Sequence, residues 1–389
     1  MVGPIAPRRR TAMAARNPAN PRLRDIFALL ARFLSFADYL KLRLVDHASR
    51  LYCRRVGRTP PPFPWLMLPQ RESPGAPSTA TVRRIFYDIP GGRSYRYEIP
   101  DKRFYRCVAT GHGWLVMVSV HPPRRILMLN PITDQGKVVP WPFDNINGCF
   151  HAHLTSSPGD RGCFLVMVTD KLIAYCRPAI YQGWYALRAP GFRYHEASSD
   201  VVSLSSSLVF LVDQRRKLWR VELAEQPPQV ECRDTAFALP SEELRRYYLV
   251  ESLGHIHLVL SEDRHKRIAL YKLDWAAASM WAPMDGWCGD RVLLLGRGCS
   301  AAVPASSAAG RAPGTVLFAR QPMSIRDMDR SVRGDSRGQA WFWSETRVDA
   351  GPDDLLVLKK TVPHQQGEFT NADDSFWFFP AIDPDENAR

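Results

Sequence analysis

Two His-x-His pairs, His151/His153 and His255/His257, are the residues of this 389-residue chain best spaced for chemistry. On a strand alternate side chains share a face, so each pair sets two imidazoles side by side, as a metal site requires. A closed site needs further ligands, and no matching set of carboxylates accompanies either pair. The histidines are therefore expected to face solvent or bond locally, with no metal and no other cofactor. The acidic pairs Glu242/Glu243, Asp353/Asp354 and Asp373/Asp374 are adjacent in loops or at helix starts, which suits solvation better than acid–base work. There is no G-x-S-x-G elbow, no G-x-x-x-x-G-K-[ST] loop, no H-E-x-x-H and no G-x-G-x-x-G opening a helix. The chain reads as non-enzymatic.

Eight cysteines (Cys53, Cys107, Cys149, Cys163, Cys176, Cys232, Cys288 and Cys299) show no C-x-x-C and no zinc spacing. Several sit in apolar runs, so they read as reduced core thiols of an intracellular protein in cytoplasm or nucleus. Of the eleven tryptophans, Trp114, Trp219 and Trp281 recur at positions that suit packing between repeated units better than lining a ligand channel.

The net charge of +13 is concentrated early. Residues 1–60 carry 13 Lys/Arg against Asp25, Asp38 and Asp46, which leaves 39 basic and 36 acidic residues in the rest. A nucleic-acid-binding body would wear its own basic face, so nucleic acid is not expected as a partner. Residues 1–20 read as a disordered basic leader, with an organelle address as the alternative because six arginines precede the first acid. The longest apolar stretches fall far short of the roughly 20 residues that cross a bilayer, so no membrane partner is expected.

The elements that would position these groups fall into two textures. Leu23, Ile26, Phe27, Leu30 and Leu34 make one apolar stripe on a helix of three turns. Ser35 with Asp38 then forms an approximate capping arrangement, and Leu40, Leu44, Ala48 and Leu51 give a second stripe. Helices this short cannot bury enough surface alone and need a partner. Residues 58–80, rich in proline, read as a stiff linker. Beyond them come short apolar runs such as Trp114–Val118, Phe164–Val168, Leu208–Val212, Ile256–Leu260, Val292–Leu295 and Val316–Ala319, separated by polar turns. Such runs are strands. Phe164 follows Trp114 by 50 residues, Leu208 follows Phe164 by 44 and His257 follows Leu208 by 49, the period of a four-stranded propeller blade. Gly111-His112-Gly113-Trp114 and Gly254-His255-Ile256-His257 head two of the units. The expected fold is mainly β, a β-propeller over 81–385 behind a small all-α segment at 21–57. Ala301–Pro313 and Ser331–Gly338 read as loops.

Several stretches resemble a known family. Tyr248-Leu249-Val250-Glu251-Ser252-Leu253-Gly254, Ile268-Ala269-Leu270-Tyr271-Lys272-Leu273-Asp274 with Trp281, Gly289-Asp290-Arg291-Val292-Leu293-Leu294-Leu295-Gly296, and Tyr105-Arg106-Cys107-Val108 leading to Leu129-Asn130-Pro131 follow in order the signature of plant F-box proteins with a C-terminal, kelch-like propeller of unknown function. Leu23–Leu34 and Ser35–Val45 are similar to the F-box itself. The resemblance implies a non-catalytic adaptor that holds the Skp-type subunit of a cullin-RING ubiquitin ligase through Leu23, Ile26, Phe27, Leu30, Leu34, Leu40, Leu44 and Val45, while the propeller binds a target protein. Three positions depart from the pattern: Leu23-Arg24 replaces Leu-Pro, Asp46 stands where Cys is usual, and Ser49 where Trp is. The alternative is a propeller interaction module with a degenerate F-box, addressed to an organelle by its leader.

Overall fold

The computed structural model describes Leu34, Asp38, Tyr39 and Lys41 and then residues 64–67, 82–89, 92–99, 105–119, 123–142, 150–194 apart from 188, 200–234, 246–262, 267–284 apart from 278, 290–319 apart from 297, 309 and 310, 343–347 and 376–378. The chain forms two compact units, Met1–Pro62 and Phe63–Arg389.

In the second unit the described strands form six four-stranded sheets, the blades of a propeller. Blade 1 joins β1 (Trp65–Met67), β2 (Val82–Asp88) and β3 (Arg93–Ile99) to β24 (Phe376–Phe378) from the other end of the chain, in the order β24-β1-β2-β3. Blade 2 is β4 (Tyr105–Gly111), β5 (Trp114–Ser119), β6 (Arg125–Asn130) and β7 (Gln135–Pro140). Blade 3 is β8 (Phe150–Leu154), β9 (Leu165–Thr169), β10 (Ile173–Cys176) and β11 (Tyr185–Leu187). Blade 4 is β12 (Asp200–Ser203), β13 (Leu208–Val212), β14 (Lys217–Glu222) and β15 (Gln229–Asp234), and blade 5 is β16 (Arg246–Ser252), β17 (His255–Glu262), β18 (Arg267–Leu273) and β19 (Trp281–Met284). Blade 6 holds β20 (Arg291–Leu295), β21 (Ala301–Pro304), β22 (Thr315–Ala319) and β23 (Trp343–Arg347) in the order β21-β20-β22-β23.

The apolar runs become central strands because both faces of a blade are covered by its neighbours. On β9 the alternation separates two seams: Leu165 and Met167 pack with blade 2, while Val166 and Val168 pack with blade 4. The same division recurs around the ring, with further apolar seams between blades 4 and 5 and between blades 5 and 6. Each fully buried aliphatic side chain contributes about 1.5–3 kcal/mol, so stacking the blades is what stabilises each small sheet. Trp114, Trp219 and Trp281 are buried in these seams, as the packing expectation held.

Four details differ from expectation. Trp65–Met67, inside the stretch read as a linker, is a strand of blade 1, where Trp65 stacks on Tyr95 at 4.7 Å. Ala301–Pro304, read as loop, is the innermost strand of blade 6; its small side chains give no apolar run, and the next residues Ala305–Ser307 form a 3-10 turn. β20 pairs antiparallel with β21 but parallel with β22, so the chain enters this blade at its second strand. The shared hairpin motif also has a different register. The two-residue turns are His112-Gly113 and Leu253-Gly254, with positive φ at all four positions, so Gly254 matches Gly113 and His257 matches Val116. Positive φ at both central residues is what a type I′ hairpin demands, and glycine supplies the second at least cost. Ser331–Gly338 lies outside the described residues.

Candidate functional site

The first strands of neighbouring blades lie side by side around the propeller axis, and β8 brings both histidines of one pair there. Ala152 and Leu154 alternate into the apolar seam with blade 2, which turns His151 and His153 toward blade 4. His153 is bonded through Nε2 to the Ser203 hydroxyl of β12 at 3.0 Å. Burial, with a smaller push from His112, lowers its pKa to about 3, so the ring is neutral throughout the physiological range. His151 is buried, stacks at 6.0 Å on Tyr194, and packs against Gly298 in the turn between β20 and β21 of blade 6. That turn is braced by Ser300, whose hydroxyl donates to the Gly296 carbonyl at 3.0 Å.

The second pair is placed as the strand alternation requires, on the β17 face that carries Val259 into the seam with blade 6. The rings of His255 and His257 are edge to face at 6.5 Å. Burial first, then His255 and Lys272, hold His257 at about 4. His151 and His257 are thus buried within the blade packing and His153 is half-buried, while His255 is exposed. No group of three His, Cys, Asp or Glu among the described residues could hold a metal ion.

Buried carboxylates serve the scaffold. Asp200 accepts the Val201 amide at 2.9 Å and, across the seam, the Leu249 amide of β16 at 2.8 Å. Asp213 accepts the amides of Arg215 and Lys217, each at 2.9 Å, and the Trp219 indole N–H at 3.1 Å. Cys107, Cys163, Cys176 and Cys299 are buried, in line with core thiols. Burial pushes the Cys163 thiol up to about 11 and raises Cys176 further. Cys232 departs from that reading: it is exposed on the outer strand β15. The remaining three cysteines and the acidic pairs at 242/243, 353/354 and 373/374 lie outside the described residues.

What the geometry offers is a rigid ring with surfaces at its edges. The KIB1-4 beta-propeller family matches residues 86–346, well over half of the chain. This chain belongs to that family. A KIB1-4 propeller is a protein-interaction kind of module. No curated protein matches the chain. Solved structures similar to it are AztD of Citrobacter koseri (11% identity over 61% of this chain and 59% of that one, TM-score 0.35) and Hsv2 of Kluyvelomyces marxianus (12% over 56% and 71%, TM-score 0.34). A third is YCF48 bound to D1 peptide (13% over 57% and 69%, TM-score 0.33). The chain spans only 59% and 57% of the two AztD structures, and likeness at this level says nothing of what it binds.

Of the residues expected to hold an adaptor, Leu34 is described: it lies at a bend and is half-buried. Asp38, Tyr39 and Lys41 just after it are helical, and the Lys41 ammonium reaches Asp38 at 3.4 Å. Leu23, Ile26, Phe27, Leu30, Leu40, Leu44 and Val45 lie outside the described residues.

The sequence reading passed over the outer edge of blade 3. There Tyr181 and Tyr185 are exposed, and Trp184 donates its indole N–H to the Pro140 carbonyl of blade 2 at 2.9 Å. The only signal was a tyrosine- and tryptophan-rich stretch without an acid; exposure itself is not written in a sequence.

Proposed function

We propose that this KIB1-4 propeller protein is a non-catalytic substrate-recognition adaptor of a Skp–cullin–F-box ubiquitin ligase, acting in cytoplasm or nucleus. Leu23, Ile26, Phe27, Leu30, Leu34, Leu40, Leu44 and Val45 hold the Skp-type subunit, and the propeller grips the target protein. Transfer chemistry belongs to the ligase partners. The observation that supports this is an order: an F-box-like double stripe, a proline-rich stretch, then a propeller whose family is linked to F-box-like proteins. Two short apolar stripes at helical spacing call for a partner that covers them. The test is capture of a Skp-type adaptor by the purified chain. Wild type should retain it and Leu30→Asp should lose it; equal recovery by both, or by neither, defeats the proposal.

Asp46 and Ser49 favour a second reading, in which the F-box is degenerate. A charge and a small hydroxyl at positions that would be apolar remove contact worth about 1–3 kcal/mol each if buried in the complex. The propeller then remains as an interaction module, with the arginine-rich leader as an organelle address. Imaging of a fluorescent fusion separates the two: import with leader cleavage supports the second, a cytosolic or nuclear signal the first.

A further inference from the structure

The near balance of charge beyond residue 60, 39 basic against 36 acidic residues, hides an uneven distribution over the propeller. His153, next to the end of β8, is bonded to Ser203 at the end of β12, so the innermost strands of blades 3 and 4 run in one direction. The β9–β10 turn at 170–172 and the β13–β14 turn at 213–216 therefore emerge together, at the end where those inner strands begin. Two backbone hydrogen bonds join them through the connection between the blades. Tyr194 donates its amide to the Asp170 carbonyl at 3.0 Å, and Gln214 donates its amide to the Arg193 carbonyl at 2.8 Å. The two turns and the connection make one continuous surface.

That surface is basic. Lys171 and Arg215 are exposed, Arg193 and Arg216 half-buried, and the Arg193 guanidinium is held in the connection by the Phe192 carbonyl at 2.7 Å. Asp170 is the exposed acid among them. Asp213 is fully buried, its oxygens taken by two turn amides and the Trp219 indole, and Lys217 is offset by Asp234 at 2.8 Å. The opposite end of the same two blades sets Arg161 and Arg177 against Asp160, Glu222 and Glu225. Backbone conformation adds an independent sign. Arg216 stands at φ +65, where a side chain is costly and glycine is cheap, and a cation in such a place points to a use for its charge.

The same surface narrows the partner. None of the exposed large apolar residues among those described, Val138, Ile180, Tyr181, Tyr185 and Leu253, belongs to it. It offers no aromatic on which a base could stack and no apolar group to enter a bilayer. Duplex phosphates need cations alone, but Asp170 interrupts these and the near-neutral body adds no long-range attraction. A protein segment can space its carboxylates around Asp170, and guanidinium forks match carboxylates well.

We propose that the surface formed by residues 170–172, 191–194 and 213–216 docks an acidic segment of the target protein, with its carboxylates against Lys171, Arg193, Arg215 and Arg216. The inference rests on the reading of the propeller as the gripping half of the molecule, but not on adaptor docking.

The test is fluorescence anisotropy of the full chain with a short labelled peptide alternating Glu with Ser. Saturable binding that weakens with salt is expected, with no binding of the same peptide carrying Lys for Glu. Arg215→Glu should bind at least about fivefold more weakly. Arg161→Glu, the same charge change at the opposite end, should stay within about twofold of wild type, as should Arg215→Lys, and all three should melt with wild type. No binding by wild type or equal binding of the Lys peptide overturns the proposal. So does unchanged affinity in Arg215→Glu, the result expected if the basic first 60 residues take the peptide instead, or an equal loss in Arg161→Glu. Tighter binding of duplex DNA, or sedimentation with phosphatidylserine vesicles, overturns it in favour of those partners. Adaptor capture on the same samples keeps the two readings apart. Peptide bound and adaptor ignored sinks the ligase assignment alone; adaptor captured and peptide ignored sinks this surface alone.

Discussion

A single glycine shows how closely the inner wall is fitted. Gly298 sits at φ +61, and a Cβ there would overlap the His151 ring. Gly298→Ala should therefore cost more than about 2 kcal/mol in urea unfolding, from overpacking plus the left-handed backbone. His151→Ala in that background should recover the steric part and leave about 1 kcal/mol for the backbone; a Gly298→Ala protein with wild-type stability would show the contact to be loose. His153 makes a prediction about pH. Its folded pKa of about 3 lies below the 6.5 of the unfolded ring, so between those values the unfolded chain binds more protons. Its contribution to stability is complete above about pH 6.5 and is lost as pH falls toward 3. His153→Gln, which keeps a partner for Ser203 but does not titrate, should flatten that fall in denaturation midpoints measured from pH 7 to pH 4. An unchanged slope would mean that the ring is solvated. Both histidines were visible in the sequence, and strand alternation correctly put them on one face. What the sequence could not show is that the face is closed by a turn from blade 6.

At the scale of the element, the β13–β14 hairpin is organised by one carboxylate. Asp213 gathers two turn amides and the indole N–H of Trp219, a side chain that fills the seam between blades 3 and 4. Asp213→Ala strands the buried indole donor and two partly buried turn amides and should cost about 2–4 kcal/mol. In that background Trp219→Phe should cost less than it does alone, because the indole bond is already gone; additive costs in the double-mutant cycle would refute the coupling. The same hairpin shows which elements a sequence reveals. β13 and β14 are apolar because blades cover both their faces, so they read as strands at once. β15 beside them wears charge, β11 is three residues long, and β21 is built of alanine, valine and proline. Outer strands face water and this innermost strand is too small to form an apolar run, so hydrophobic spacing is silent on them.

Ring closure belongs to the molecule as a whole. Blade 1 takes three strands from the start of the second unit and its innermost strand, β24, from near the end of the chain, with Trp65 registered opposite Phe378. A proline-rich stretch containing Trp65–Met67 looks like a linker because its pairing partner lies at the far end of the sequence, beyond the reach of any local pattern. Phe378 is fully buried, 4.9 Å from Phe86 and 6.4 Å from Trp65 by ring centroid. Phe378→Ala should then cost about 3–5 kcal/mol as a cavity in an otherwise intact ring. A chain ending at residue 374 removes β24 altogether and leaves β1 as an unpaired apolar edge against an opened blade. It should lose the single cooperative melt, bind a hydrophobic dye and scatter light on warming, whereas Phe378→Ala should melt cooperatively at a lower temperature. If the truncated chain instead melts as wild type does, β24 is not the latch, and the propeller must close through contacts within blades 1 and 6 alone.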